Sequence, residues 1–183
     1  MTSISSPFVT PSSSTNRMML NVIIALIPGS IAYILYFGVG LIVNLVFAIG
    51  FALLFEALVL LIRKRPLQPY LGDYSAVVTG WLFALCIPMH SPWWLIAVGI
   101  GFAMIAGKHL YGGLGFNPFN PAMVGYVVVL ISFPKEMTTW FLPVQVSGDA
   151  LNLAEAFAYS LGLSDIQQLD ALTSATPLDQ YKT

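Results

Sequence analysis

LIVNLVFAIGFALLFEALVLLIRKR, residues 41–65, decides the fold of this chain. From Leu41 to Ile62 the sequence is almost continuously apolar, and it stops at Arg63-Lys64-Arg65. As a helix this run crosses a hydrocarbon layer of roughly 30 Å with some tilt. Four more apolar segments flank it, at residues 18–36, 75–87, 93–110 and 121–133. The first, from Met18 to Tyr36, is interrupted by Pro28-Gly29-Ser30. Residues 75–87 and 121–133 are short, and the run from Trp93 is apolar only to Gly107, before Lys108 and His109. Short apolar windows are more often broken, re-entrant or buried pieces than simple lipid-facing helices. Such backbone persists at membrane depth only where protein or a polar cavity satisfies its amides.

Composition agrees. Of 183 residues, 57% are hydrophobic and 8% charged, against about 25% charged in soluble domains. Mean hydropathy is +0.82. Disorder is excluded, because so few charges cannot solvate so much apolar chain. A net charge of −1 argues against a nucleic-acid partner. The single cysteine, Cys86, excludes a disulfide scaffold. The expected fold class is an all-α integral membrane protein, a polytopic helical bundle with short or broken spans.

Arg63-Lys64-Arg65 is the only basic cluster; Arg17 precedes the first segment and Lys108 closes the fourth. A cytoplasmic N-terminus, residues 1–17, places all five on the inner side, as the positive-inside rule prefers. If both short segments cross, residues 134–183 lie on the far side. Trp93, Trp94 and Trp140 suit an interfacial belt. The Ser/Thr/Pro-rich start, Met1 to Asn16, carries no basic residue and does not read as a cleaved signal peptide. Residues 135–183 hold six of the eight acidic residues and two of the seven basic ones. Within them, Leu151, Ala154, Phe157, Ala158 and Leu161 have the spacing of an amphipathic helix. An odd number of crossings followed by a polar stretch reads as the first half of a longer protein.

The polar residues inside this apolar frame are few. Glu56 lies about 9 Å in from the end of the second span. A carboxylate there marks an ion or proton pathway by default; the alternative is an acid that is neutral or paired with a neighbouring helix. KHLYGGLGFNPFNPA, residues 108–122, sets glycines, prolines and asparagines between two apolar segments. Glycine-rich backbone approaches a ligand closely, and Asn117 and Asn120 each offer a donor and an acceptor. The alternative is a tight turn whose asparagines cap helix ends. The two short segments each run into a proline, Pro88 and Pro134, and paired interrupted segments mark binding sites in transporter-like folds. DALTSATPLD, residues 170–179, presents hydroxyls at Thr173, Ser174 and Thr176 among small neighbours. It suits either a modified loop or a polar turn. His90, His109 and Cys86 have no metal-site spacing, and no catalytic constellation is visible.

LYGGLGFNPFNPAMVGYVVVLISFP (residues 110–134) and TSATPLDQYKT (residues 173–183) resemble the D-type subunits of the Rnf/Rsx ion-translocating electron-transport complexes. The B-type subunit of the sodium-translocating NADH:quinone reductase is related to them. The likeness runs from SSPF near the start, through NRMML, to the last residue, over roughly half the family's usual length. The resemblance implies a transporter-like membrane domain of a bacterial inner-membrane complex that couples ferredoxin/NAD electron transfer to Na+ or H+ movement. It implies FMN bound covalently through a phosphoester on the final threonine of a D-x-x-[ST]-x-A-T motif. Here that motif is Asp170, Thr173, Ala175 and the acceptor Thr176, with Ser174 in place of the usual glycine. A flavin transferase using FAD would install the group, on the periplasmic side. Noncovalent riboflavin is implied as a second flavin, and the loop carrying Gly112, Gly113, Asn117 and Asn120 is the expected contact. The implied partners are the other subunits of the complex and the lipid bilayer. Without the threonine motif the same segments read as a solute transporter or a structural membrane scaffold.

Overall fold

The computed structural model describes residues 15–141, 143–144 and 151–163. Helix α1 spans Thr15–Phe37 and α2 spans Gly40–Ile62. Both are long and apolar enough to cross a membrane. A single turn of helix, α3 (Leu67–Leu71), leads to α4 (Ser75–Cys86), then α5 (Trp93–Phe102). The chain continues from α5 without a break into a π-helical segment, Ala103–His109. Helix α6 (Pro121–Ser132) runs into the short α7 (Pro134–Thr138), and α8 (Leu153–Ser160) follows. The described chain is therefore an all-α membrane fold, as composition implies.

α2 is the hub, packing on α4, α5 and the π-helical segment, while α6 packs on α5, the π segment and α4. The core holds Leu41, Ala48 and Ala52 of α2, Phe83 of α4, Ile96 and Ile100 of α5, Met104, and Val129 of α6. In lipid, such contacts depend on shape and close approach rather than on exclusion of water. Gly125 of α6 provides one such approach, because a Cβ there would collide with the carbonyl of Gly99 on α5. α1 is peripheral, with Ile24, Ile31 and Leu35 exposed. A polar contact ties it to α4: the Trp81 indole donates to Ser30 Oγ at 2.9 Å, and that hydroxyl donates to the Leu26 carbonyl.

Pro28-Gly29-Ser30 interrupts the apolar run of α1 but not its helix, which is continuous through all three residues. A proline removes one ladder hydrogen bond, and the remaining bonds keep the helix continuous. Lys108 is not an interfacial charge at the end of the fourth segment. The π-helical turn carries it inward, and it is buried to 1% exposure. The amphipathic stretch forms a helix shorter than its periodicity, α8, begun by a capping box between Asn152 and Glu155.

The helices alternate in direction, so the loops gather at two ends. Thr15, Asn16, Arg65, Asp73, Gly112 and Gly113 line one groove at the first end. At the other end His90 packs against Phe141 and Tyr159.

Candidate functional site

Among the described residues, charge enters the apolar bundle at one place. Glu56 of α2 has no exposed surface. Lys108 Nζ donates to Glu56 Oε1 and, at 2.6 Å, to Ser75 Oγ at the start of α4. The Ser75 hydroxyl in turn donates to Asp73 Oδ1 at 2.5 Å, and its backbone N–H donates to the same oxygen at 2.8 Å. His109 Nε2 lies 3.8 Å from Glu56 Oε1. The five-residue register of the π-helix turns the consecutive residues Lys108 and His109 toward the same carboxylate; such segments occur frequently at functional sites.

This cluster joins α2, the start of α4 and the π segment. An unpaired carboxylate at this depth is costly, and pairing with a hydrogen-bonded ammonium offsets part of that cost. The pairing leaves two buried atoms over. Glu56 Oε2 and His109 Nε2 have no hydrogen-bond partner among the described residues. Sequence reading singles out Glu56 but not its neighbours. The signal for Lys108 and His109 is their place at the end of an apolar run, which reads equally well as an interfacial stop. Nothing local marks Ser75 or Asp73.

Asp73 also faces outward, into a groove of about 460 Å³ lined by Arg65, Tyr70, Gly112, Gly113 and Phe116 among others. The loop beyond the π segment turns on Gly112, Gly113 and Gly115, with φ of 111°, 117° and 89°. Side chains other than glycine rarely adopt this backbone region. Asn117 accepts from the Gly115 N–H at 3.1 Å and donates to the Phe119 carbonyl at 2.7 Å. Asn120 caps α6 by accepting from the Ala122 N–H at 3.0 Å. These amide groups hold the loop's own shape, while the rings of Phe116 and Phe119 stand exposed beside it.

At the opposite end, Asn44 and Ser91 both donate to the Pro88 carbonyl, at 2.9 and 2.7 Å. His90, in the same turn, is buried with φ of 57°. Burial without a described partner for Nδ1 pushes its imidazole down to about 4. Asp170, Thr173, Ser174, Ala175 and Thr176 lie outside the described residues.

Apolar helices of full and partial membrane length around one buried ion pair define a polytopic all-α membrane protein. The profile of the NQR2, RnfD, RnfE family matches residues 2–183, and the chain belongs to that family. It is 49% identical over 189 residues to the D-type subunit of the ion-translocating oxidoreductase complex of Vibrio atlanticus (strain LGP32), covering 98% of this chain and 54% of the relative. It is 46% identical over 188 residues to the corresponding protein of a Vibrio cholerae serotype O1 strain, with the same coverage. The counterpart in Ectopseudomonas mendocina (strain ymp) is 48% identical over 179 residues, covering 98% of this chain and 50% of the relative. The chain thus spans about half the length of the curated relatives it matches.

Proposed function

We propose that this chain acts in the D-type membrane subunit of an ion-translocating oxidoreductase complex, carrying electrons on FMN esterified to Thr176 and coupling their transfer to Na+ or H+ movement. The observation that carries this reading is near-half identity over 98% of the chain to proteins named for that complex. The buried Glu56 cluster supports an ion path through the bundle. FMN supplies the redox chemistry, and the protein sets its position and potential. The groove beside Gly112, Gly113, Asn117 and Asn120 is the contact proposed for a second, noncovalent flavin, riboflavin. Its size and exposed aromatic rings support that assignment. The basic end of the bundle is cytoplasmic and the Thr176 motif periplasmic in a bacterial inner membrane. This orientation rests on the inward bias of Arg17 and Arg63-Lys64-Arg65. The partners are the other subunits and a flavin transferase that moves FMN from FAD to the threonine hydroxyl.

The test is in-gel flavin fluorescence of the full-length protein, co-expressed with the transferase, with mass spectrometry of the Thr176 peptide. A flavin-phosphate adduct that disappears in Thr176→Val is the expected result. Fluorescence that persists in Thr176→Val moves the attachment elsewhere. A colourless wild type with an unmodified peptide overturns the redox role and favours a solute transporter.

A further inference from the structure

We infer that Glu56 and Ser75 form a monovalent-cation site whose tethered occupant is the Lys108 ammonium. The inference deepens the ion-path role proposed for Glu56 and rests on that reading only for its physiological meaning. Its chemistry comes from the cluster itself. The ammonium is held by one carboxylate oxygen and one hydroxyl oxygen, the hard donors that also hold a small cation. Asp73 stands behind the hydroxyl as a second carboxylate.

A salt bridge alone does not account for the arrangement. It leaves Glu56 Oε2, on a side chain with no exposed surface, and the nearby His109 Nε2 without a hydrogen-bond partner among the described residues. Buried polar atoms without partners call for a specific explanation such as a water or an ion. Here they are spare donor atoms around the ammonium, available to an ion that takes its place. A divalent ion fits less well, since it seeks six or more oxygens. Access is short: Asp73, which accepts from Ser75, also lines the groove at the basic end. Lys108 is therefore a competitor at the site. While its ammonium is seated a free cation is excluded, and a free cation enters as the flexible side chain withdraws.

Lys108→Met tests this, because methionine ends one atom short and vacates the Nζ position. Thermal unfolding of the full-length protein in detergent is followed in choline, sodium, potassium and ammonium chlorides at equal ionic strength. The expected result is a Tm for Lys108→Met that rises by about 3–6 °C when sodium, potassium or ammonium replaces choline. The wild type and Glu56→Gln/Lys108→Met are expected to be indifferent to the exchange. A single variant indifferent to the cation overturns the site, as does a double variant that still responds. If Lys108→Met does not accumulate in cells, Lys108→Gln, which also removes the ammonium, is assayed identically. Failure of both to accumulate in sodium- or ammonium-rich medium also overturns the proposal. Neither readout depends on flavin, so this site and the redox role stand or fall separately.

Discussion

Gly40, the first residue of α2, lies against the imidazole of His90, and a Cβ on it would stand 2.6 Å from His90 Cε1. The ring has little room to move. Phe141 meets it edge-on with centroids 5.1 Å apart, and Tyr159 does so at 6.1 Å. This contact locks the loop between α4 and α5 onto the start of α2 and brings the segment after α7 to the same point. Gly40→Ala should therefore cost about 1–3 kcal/mol as an overpacked contact. A double-mutant cycle checks the cause: the same alanine in a His90→Asn background should cost less, because the shorter side chain frees the space. Asparagine also tolerates the left-handed backbone of position 90.

The same histidine predicts a pH response. Its folded-state value is pushed down to about 4 by burial, below the ordinary value of about 6.5 for an exposed imidazole. Folding therefore favours the neutral ring. The stabilisation is fully present above about pH 6.5 and is lost as pH falls toward 4, where the unfolded chain binds the extra proton. Tm measured from pH 7 to pH 5 should fall in the wild type and fall less in His90→Asn.

The ion pair in the bundle predicts a characteristic asymmetry. Lys108→Met in choline medium leaves Glu56 buried and unpaired, which costs about 3–5 kcal/mol. Glu56→Gln/Lys108→Met removes both charges and should cost less than the sum of the two single changes. Unfolding of the four proteins of the cycle gives the coupling directly, and additive losses would show that the pair is not formed.

Gly125 predicts a steric failure with no charge involved. A Cβ there meets the Gly99 carbonyl, and Ala103 stands at 3.0 Å beside it. Gly125→Leu should force α6 away from α5 and lower the yield of folded protein in size-exclusion chromatography. Met123, on the exposed side of the same helix, should accept leucine with little effect.

Capping offers a smaller check. Asn120→Ala removes the acceptor for the Ala122 N–H and should cost about 1 kcal/mol. Asn120→Asp should retain most of that stability.

Much of this was legible in the residues. The long apolar run before Arg63 and the low charge content impose a membrane helix, since hydropathy and length act locally. The loop after Lys108 reads as a glycine turn with an asparagine cap, because both effects need only near neighbours. Other features needed contacts distant along the chain. Lys108 reads as an interfacial stop, since nothing in its own segment says which way the π turn will face it.

By itself the sequence determined the solvent of this protein, the number of its apolar segments and the family to which it belongs. Those follow from transfer energies and local pattern, which each segment carries alone. Only the tertiary structure decided that Glu56, Ser75, Lys108 and His109 share one buried site with Asp73 at its edge, and that Gly40 lies beneath His90. Residues 52 positions apart, as Glu56 and Lys108 are, meet only where helix packing brings them together, and that geometry belongs to the whole bundle.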